Sequence, residues 1–261
     1  MPLQSSTIPV FPDLQGKIAL VTGGSRGIGA DTCLALARNG VKVAVNGRDE
    51  ARIRATVEAI RAIRGEAIAA PADCSGLSDV DAMRDRIHHE WGVPDFIVAF
   101  AGGGTEKPGP FEQITEQDWR SSIDNNLTST FFTVKSFLPA MIERGSGGVV
   151  SMASAGGRVA AGAPAGYGAA KAGVIMLTRH LANEVGKHGI RANCISPSAI
   201  LSERTRQNIS DEQEQKMRAA FPLGRLGHPD DVAAATLFLL SSVSSWITGV
   251  TLDVAGGRVM S

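Results

Sequence analysis

The sequence predicts an α/β fold, with a doubly wound, seven-stranded parallel sheet that carries helices on both faces. Short apolar runs alternate with segments of helical periodicity along most of the 261 residues. The apolar runs are nearly continuous, which is typical of strands that are covered on both faces. Alternating strands and helices imply parallel pairing through right-handed crossovers. We therefore expect a single Rossmann-type domain.

Seven segments are predicted as strands: 17–24, 41–45, 67–73, 95–100, 147–153, 190–196 and 250–254. Between the second and third, apolar residues at helical spacing predict a helix that uses Gly65 as its C-terminal cap. Ser78 and Asp81 resemble a capping box that opens the next helix. Thr115 and Asp118 mark the start of a long helix before the fifth strand. The segment around Tyr167 is predicted to begin, or to lie within, the helix after that strand.

No repeat or linker divides the chain, so we expect one domain over residues 15–261 after an irregular arm of residues 1–14. Two segments interrupt the alternation. Residues 103–114 form an irregular loop, and residues 198–220 are long and highly charged. The second segment is either a solvated helical face or a mobile lid. It would cover the crevice at the carboxyl ends of the strands, where ligands bind in sheets of this kind.

Charge and composition exclude several classes of protein. The chain has 26 basic and 26 acidic residues and no basic stripe, which argues against a nucleic-acid partner. No apolar run reaches the roughly 18 residues that span a bilayer. The three cysteines, Cys33, Cys74 and Cys194, are odd in number and scattered along the chain, which indicates reduced thiols in a cytoplasmic protein. The histidines show no zinc-type spacing with these cysteines, so no metal site is expected.

A glycine-rich turn, TGGSRGIG, follows the first predicted strand. Gly23, Gly27 and Gly29 have the spacing T-G-x-x-x-G-x-G, which differs from the common G-x-G-x-x-G. Glycines at a strand-to-helix turn let the backbone bend sharply and approach a pyrophosphate. The turn therefore predicts a dinucleotide site, and its candidate contacts are Gly23, Ser25, Arg26 and Ile28.

The end of the second strand bears on the choice of dinucleotide. NAD sites usually place an acid there to hold the ribose hydroxyls. This chain has Gly47 followed by Arg48, and a guanidinium suits a 2′-phosphate that an acid would repel. Asp49 opposes this interpretation, but it falls on the following turn. We expect NADP(H), with NAD(H) as the alternative.

The only tyrosine, Tyr167, precedes Lys171 by four residues in YGAAK. On a helix these side chains share a face. An ammonium about 4 Å from a phenol would favour phenolate by about 4 kcal/mol at an effective dielectric near 20, before desolvation opposes it. The pair is a candidate acid–base site. A half-buried tyrosine beside a surface lysine is the alternative.

The order of the motifs resembles the short-chain dehydrogenase/reductase family from Lys17 to Gly257. The motifs are TGGSRGIG, NNL, a serine at the end of strand five, YGAAK, GIRANCISP and WITGVTLDVAGG. The resemblance implies a catalytic tetrad. In it Asn126 holds a water and Ser154 positions the substrate carbonyl. Tyr167 is the general acid or base, and Lys171 lowers the pKa of Tyr167 and binds the nicotinamide ribose.

The resemblance also implies further cofactor contacts. Asp73 and Cys74 would meet the adenine, while Ile200 and Ser202 would reach the nicotinamide end. Ala101 would line the cofactor beyond strand four. Three residues depart from the family pattern: Ala99 and Phe100 replace asparagines, and Ser198 replaces the glycine of Pro-Gly.

The implied function is interconversion of a ketone and a secondary alcohol with NADP(H). Residues 223–257 resemble the 3-oxoacyl-carrier-protein reductase branch. A carrier-bound thioester and a small or cyclic free ketone both remain open as substrates. The alternatives are an NAD(H)-dependent alcohol dehydrogenase of the same family and, from another class, a non-catalytic NADP-sensing or scaffold protein. Family members are commonly tetramers, so a homotetramer is expected.

Overall fold

The computed structural model describes residues 8–104, 109–160, 162–202, 205–206 and 209–260. Part of the predicted arm (1–7), of the loop after strand four (105–108) and of the charged segment (203–204 and 207–208) lies outside the described residues. No helix among the described residues combines the length and apolar character needed to cross a membrane.

The described residues form one sheet with helices between its strands. The strands are β1 (Ile18–Thr22), β2 (Lys42–Gly47), β3 (Ala67–Pro71), β4 (Phe96–Ala99), β5 (Gly147–Met152), β6 (Ile190–Pro197) and β7 (Thr251–Val254). The helices are α1 (Gly27–Arg38), α2 (Glu50–Ala62), α3 (Leu77–Trp91), α4 (Glu116–Ile123), α5 (Ser129–Arg144), α6 (Ala165–Val185), α7 (Asp211–Arg218) and α8 (Pro229–Leu240).

The strand order is β3-β2-β1-β4-β5-β6-β7, and every pair is parallel. The order reverses between β1 and β4, which opens a crevice at the carboxyl ends of these strands. The predicted doubly wound sheet is confirmed.

Both faces of the sheet are buried by helices. Ala19 and Val21 of β1 join the core that α1, α2 and α8 cover. Leu20, between them, points to the opposite core under α3, α5 and α6. Successive side chains of a strand face opposite sides, so a strand buried on both faces needs apolar residues at every position. This is why the predicted strands read as continuous apolar runs.

One predicted helix start is wrong, and one predicted C-terminal cap is confirmed only in part. Helix α3 begins after Gly76, and Asp81 accepts hydrogen bonds from Ser136 (2.6 Å) and Arg84 (2.8 Å) instead of closing a capping box with Ser78. Helix α2 ends at Ala62, and the Gly65 N–H caps it by donating to the Ile60 carbonyl at 3.0 Å, but the left-handed residue is Arg64, with φ 63°. A Cβ on Gly65 would lie 2.8 Å from Ile60 Cγ2, so glycine is required there by crowding.

The predicted start of the long helix at Thr115 is confirmed, and Thr115 and Asp118 form a capping box there. The helix is interrupted at Asp124–Thr128, where one π-helical turn joins α4 to α5. Asn126 lies in this turn and is fully buried. Such turns insert an extra residue into a helix and often occur at functional sites.

The described part of the arm is attached to the domain. Leu14 is fully buried at the end of a short 3₁₀ turn, Pro12–Leu14. The Phe11 backbone N–H donates to Asn39 Oδ1 at 2.7 Å. The charged segment of residues 198–220 contains α7, which begins with a capping box between Ser210 and Gln213. Beneath it, Leu201, Phe221 and Leu226 form a small apolar cluster.

Candidate active site

The glycine-rich turn joins β1 to α1 at the open end of the sheet. Gly23 and Gly27 have φ of 67° and 52°, which favours glycine. A Cβ on Gly23 would lie 2.7 Å from the Phe100 carbonyl oxygen, and one on Gly29 would clash with the Gly23 carbonyl. The turn is therefore held against β4 and against its own helix. Gly23 is therefore required by both its positive φ and crowding, Gly27 is favoured by its positive φ, and Gly29 is required by crowding alone.

The first turn of α1 faces the crevice with its backbone N–H groups. Arg26 is the N-cap residue, is exposed, and makes no side-chain cap hydrogen bond to the helix. Ile28 packs against the core and accepts a hydrogen bond from Thr32 Oγ1 at 2.7 Å through its carbonyl. A helix start with free N–H groups and a positive dipole end attracts phosphate.

The last residue of β2, Gly47, is packed against Ser25 of the glycine-rich turn. A Cβ on Gly47 would lie 2.7 Å from Ser25 Oγ, so the glycine-rich turn packs directly on Gly47. The sequence interpretation assigned Gly47 to a 2′-phosphate. In the structure it also makes room for Ser25.

Arg48 lies beside Asp73 at the rim of the crevice. Arg48 Nη1 is 3.7 Å from Asp73 Oδ2, and the two side chains are 67% and 42% exposed. Partial burial opposes ionisation of Asp73, but hydrogen bonds from Ser75 and the charge of Arg48 hold its pKa below the usual value. Asp49 caps α2 by accepting from the Arg52 backbone N–H at 3.2 Å. Asp49 thus serves the turn, as expected from the sequence.

Cys74 was expected to meet the adenine, but its thiol points inward. The residue is 5% exposed and its Sγ lies 3.2 Å from Asn46 Oδ1. Burial raises the pKa of the thiol to about 11, so it is neutral at physiological pH. A contact between Cys74 and a cofactor would therefore be made by its backbone.

Tyr167 and Ser154 meet where β5 leads into α6. Ser154 caps a 3₁₀ turn by accepting from the Gly156 N–H at 3.2 Å. Its hydroxyl lies close enough to Tyr167 to lower the pKa of the phenol. Glycines flank the Tyr167 ring: Cβ atoms on Gly104 and Gly156 would lie 3.9 and 3.8 Å from its Cδ2 and Cδ1. The Gly104 side of the ring is open, whereas a Cβ on Gly156 would also lie 2.7 Å from the Cβ of Ala163, so that side is closed.

Lys171 lies one turn along α6 from Tyr167 and is 3% exposed. Its Nζ donates to the Met152 carbonyl at 2.8 Å and lies 5.7 Å from the centre of the Tyr167 ring. A Cβ on Gly102 would lie 3.3 Å from Lys171 Nζ and 2.6 Å from Asn126 Oδ1. The four predicted tetrad residues therefore converge around Gly102 and the end of β5.

Asn126 braces the loop after β4. Its Oδ1 accepts from the Gly103 N–H at 3.0 Å, and its Nδ2 donates to the carbonyls of Ser122 (2.9 Å) and Gly103 (3.3 Å). Its backbone carbonyl accepts from Thr130 Oγ1 at 2.8 Å. The side chain thus fixes Gly103 beside the site.

The expected lowering of the tyrosine pKa does not occur. Burial raises the pKa of Tyr167 above its usual value, and the neighbouring Ser154 hydroxyl offsets this only in part. Burial also lowers the pKa of Lys171 to about 8. Desolvation penalises both charged forms, and at these positions it outweighs the attraction that was expected from the pair.

The residues predicted at the nicotinamide end start the charged segment. Ile200 is 8% exposed and pairs with Gly227 through an isolated parallel bridge. Ser202 reaches the glycine-rich turn: a Cβ on Gly27 would lie 3.8 Å from Ser202 Cβ. Ser202 Oγ is 3.0 Å from Thr205 Oγ1. The segment thus begins over the predicted dinucleotide site.

The three departures from the family pattern are accommodated. Phe100 is 7% exposed and packs in the core, while the Ala101 N–H donates to Thr22 Oγ1 at 3.0 Å. Thr22 therefore ties β1 to the end of β4. Ser198 is not in the left-handed region, since Arg64 is the only non-glycine with positive φ among the described residues.

Sequence reasoning missed Thr22, Gly102 and Asn46. Thr22 and Asn46 are buried polar residues in otherwise apolar strands, with exposures of 0% and 1%. A polar residue at such a position needs a hydrogen-bond partner, and that is the signal that the sequence offered. Gly102 gave no comparable signal, because its crowding comes from residues far along the chain.

The residues present fit a nicotinamide dinucleotide. The start of α1 presents the backbone N–H groups of a helix N-terminus, and the two left-handed glycines shape a concave turn beside it. Charged groups stand at the rim near β2, and the tyrosine–lysine pair stands at the far end. Within the described ranges, no group of three His, Cys, Asp or Glu side chains could hold a metal ion.

Comparisons with known proteins agree with this geometry. A family model described as enoyl-(acyl carrier protein) reductase matches residues 23–258. The 3-oxoacyl-[acyl-carrier-protein] reductase of Chlamydia pneumoniae is 36% identical over 244 residues, which cover 94% of this chain and 97% of that protein.

Solved structures agree as well. A 3-oxoacyl-[acyl-carrier protein] reductase from Brucella melitensis superposes with a TM-score of 0.92 at 30% identity, covering 100% of this chain and 99% of that one. A 7α-hydroxysteroid dehydrogenase complexed with NADH and 7-oxo glycochenodeoxycholic acid gives a TM-score of 0.89 at 32% identity, covering 96% and 98%. The chain therefore belongs to the short-chain dehydrogenase/reductase family and is an oxidoreductase that acts on CH–OH or C=O groups.

Proposed function

We propose that the protein is an NADP(H)-dependent ketone reductase whose catalytic residues are Asn126, Ser154, Tyr167 and Lys171. One observation carries the proposal: Tyr167 and Lys171 lie on one face of α6 with Lys171 Nζ 5.7 Å from the centre of the Tyr167 ring, and the Ser154 hydroxyl lies beside the phenol. A hydroxyl pair beside a buried ammonium can hold a carbonyl oxygen and give it a proton.

Each side chain has a distinct task. The bound dinucleotide supplies or accepts the hydride. Ser154 orients the substrate oxygen, and Tyr167 donates the proton that the new alcohol needs. Because burial keeps the pKa of Tyr167 above its usual value, the phenol holds its proton at neutral pH and acts as an acid. Lys171 is held by the Met152 carbonyl beside the ring, and Asn126 fixes the loop at Gly103.

The choice of NADP(H) rests on Arg48. Its guanidinium is exposed at the end of β2, and the one nearby acid on that turn, Asp49, is directed into the N-cap of α2. An arginine in this position favours a 2′-phosphate. NAD(H) is the second candidate: the pairing of Arg48 with Asp73 favours it by reducing the free positive charge, and the steroid dehydrogenase relative is named with NADH.

The space on one side of Tyr167 supports a bulky or cyclic ketone as substrate. Among the described residues, a Cβ on Gly104 would meet only Tyr167 Cδ2, at 3.9 Å, whereas Gly156 on the other side is closed by Ala163. A 3-oxoacyl thioester on a carrier is the other candidate, because the Chlamydia and Brucella relatives are named for it.

We also propose a cytoplasmic homotetramer. Exposed apolar side chains on two neighbouring helices support self-association: Phe131 on α5 is 43% exposed and Met176 on α6 is 50% exposed.

The test is to measure binding of NADPH and NADH to the purified protein, and then to follow cofactor absorbance with cyclic ketones, small ketones and a 3-oxoacyl thioester. We expect tighter NADPH binding and turnover of at least one ketone. Tight NADPH binding with no turnover of any carbonyl would support the non-catalytic sensor instead. A preference for NADH would refute the role given to Arg48.

A further inference from the structure

Asn46 is a buried polar residue at the carboxyl end of β2. It is 1% exposed in a strand whose other positions are mostly apolar. A buried amide costs free energy unless its donors and acceptor are satisfied. Its partners therefore indicate what the residue is for.

The side chain of Asn46 makes three hydrogen bonds across β2 and β3. Its Nδ2 donates to the carbonyls of Ala70 at 2.9 Å and Ala72 at 3.2 Å. Its Oδ1 accepts from Cys74 Sγ at 3.2 Å. Because the two carbonyls can only accept, the NH₂ group must point towards them, and this fixes the orientation of the amide.

The backbone of Asn46 makes a fourth connection. Its carbonyl accepts from the Gly24 N–H at 2.8 Å, so the glycine-rich turn is anchored to the same residue. Three segments therefore meet at Asn46: the glycine-rich turn, the end of β2 that carries Arg48, and residues 72–75 after β3 that carry Asp73.

The segment of residues 72–75 is short, and besides the packing of Ala72 and Cys74 against the core it is held by few hydrogen bonds. The Ala72 N–H donates to the Gly47 carbonyl at 3.1 Å, and Asp73 bonds to Ser75 within the segment. Asn46 thus supplies two of the contacts that tie this segment to the sheet, through Ala72 and Cys74. Asp73 lies between those two residues.

We propose that Asn46 is a positioning residue for the adenosine end of the cofactor. It never touches the ligand; it holds Asp73, and through Asp73 the guanidinium of Arg48, where the adenine and the ribose phosphate bind. The inference rests on the proposed dinucleotide function. It predicts that loss of the amide weakens cofactor binding while the chemical step at Tyr167 is unaffected.

The chain offers a matched control in Asn193. This residue is also 1% exposed, lies on a strand that, like β2, is one in from an edge of the sheet, and uses its amide in the same way. Its Nδ2 donates to the Ile247 carbonyl at 3.0 Å and its Oδ1 accepts from the Val250 N–H at 3.2 Å. It braces β6 to the approach to β7, on the other side of the sheet centre from β2 and β3.

The experiment compares Asn46→Leu with Asn193→Leu in the full chain. Dissociation constants are measured for NADPH, NADH and adenosine 2′,5′-bisphosphate, which reports on the adenosine end alone. We expect Asn46→Leu to raise the constants for NADPH and the bisphosphate about tenfold, because hydrogen bonds that order the site are lost. With saturating cofactor its kcat should stay within about twofold of the wild type. Asn193→Leu should leave all three constants unchanged.

Equal binding by wild type and Asn46→Leu, or equal loss in both variants, would overturn the proposal. If the wild type prefers NADH, the proposed cofactor choice fails; the NADH constants then decide the role of Asn46, because Asp73 serves the adenine of either cofactor. The two failures are thus distinguishable.

A second pair of variants covers the case in which Asn46→Leu does not fold. Cys74→Ala removes the donor to Asn46 Oδ1, whereas Cys74→Ser keeps an O–H donor. We expect Cys74→Ala to raise the NADPH constant about threefold and Cys74→Ser to restore it, in line with the smaller contribution of one weak donor. Identical binding by both cysteine variants and the wild type would contradict the role of the network.

Discussion

The two ends of the candidate crevice are built in opposite ways. At the end near α6, Lys171 is 3% exposed and Asn126 is fully buried, and each is held by backbone groups. At the end near β2, the side chains of Arg48 and Asp73 are 67% and 42% exposed. The polar side chains at the α6 end are buried and held by hydrogen bonds, whereas the charged pair at the β2 end is partly exposed to solvent.

This difference predicts where each kind of substitution acts. Charges buried near α6 carry a desolvation penalty, which is why the pKa of Lys171 falls to about 8. Charges at the rim are screened by water and salt, so their contributions to binding are smaller and depend on ionic strength. We therefore expect large effects on turnover from the buried end and modest effects on cofactor binding from the exposed end.

The largest effect is expected for Tyr167→Phe. Removing the only phenol removes the proposed proton donor, and general acid catalysis contributes about 10²- to 10⁴-fold in rate. We expect kcat for ketone reduction to fall in that range while the NADPH dissociation constant stays within about twofold, because the ring and its packing remain. Steady-state rates and cofactor titration measure the two quantities. A variant with wild-type turnover would exclude Tyr167 as the proton donor.

Lys171→Met tests the desolvation cost at the buried end through the free energy of unfolding. The folded protein holds this ammonium at a cost, because its pKa is lowered from 10.5 to about 8 by burial. The cost is complete below about pH 8 and is relieved as the pH rises from 8 towards 10.5, where the folded chain has lost a proton that the unfolded chain still binds.

The methionine variant removes that cost but also the hydrogen bond to Met152. We expect Lys171→Met to be more stable than the wild type at pH 7, on the order of 1 kcal/mol, and catalytically impaired. The stability difference should shrink by pH 10. Urea unfolding at the two pH values measures it, and a gap that widens with pH would show that the sign is wrong.

Arg48→Ala probes the exposed end. Loss of one charge-assisted contact to a 2′-phosphate should raise the NADPH dissociation constant about tenfold and leave that for NADH unchanged. The difference between NADPH and NADH should narrow as salt is added, since the site is exposed. Titrations at low and high ionic strength provide the comparison. Arg52→Ala is the control, because Arg52 pairs with Asp49 at 3.3 Å on the next helix.

The sheet and the tyrosine–lysine pair could be predicted from the sequence because both depend on local pattern. Continuous apolar runs indicate strands buried on both faces, and a spacing of four on a helix brings Tyr167 towards Lys171. The two departures from the predicted helix ends arose because the residues concerned contact residues far along the chain. Asp81 does not cap α3 as expected, because it accepts a hydrogen bond from Ser136, which is 55 residues away along the chain. Position 65 requires glycine because a Cβ there would clash with Ile60 and Ala37, and not because its backbone is left-handed.

The charge state of the site depended even more on tertiary structure. Coulomb's law between Tyr167 and Lys171 predicted a lowered phenol pKa, but burial raises it. Burial of Lys171 follows from Gly102 and the Met152 carbonyl, which lie on other strands and loops. The hydrogen bonds of Asn46 could not be predicted from the sequence, because its partners lie on and after β3, which becomes its neighbour only when β3 pairs with β2.

The smallest effect is expected for Ser198→Gly, which restores the residue that the family pattern has. Ser198 needs no left-handed backbone, and its N–H donates to the Val254 carbonyl at 3.2 Å. Glycine would therefore gain nothing in the folded state and would enlarge the unfolded ensemble. We expect a loss of about 0.5–1 kcal/mol in the free energy of unfolding, with cofactor binding unchanged. Denaturant unfolding and NADPH titration test this. Tighter NADPH binding by the variant would mean that Ser198 constrains the backbone beneath the cofactor, and that the buried end tolerates less change than its geometry indicates.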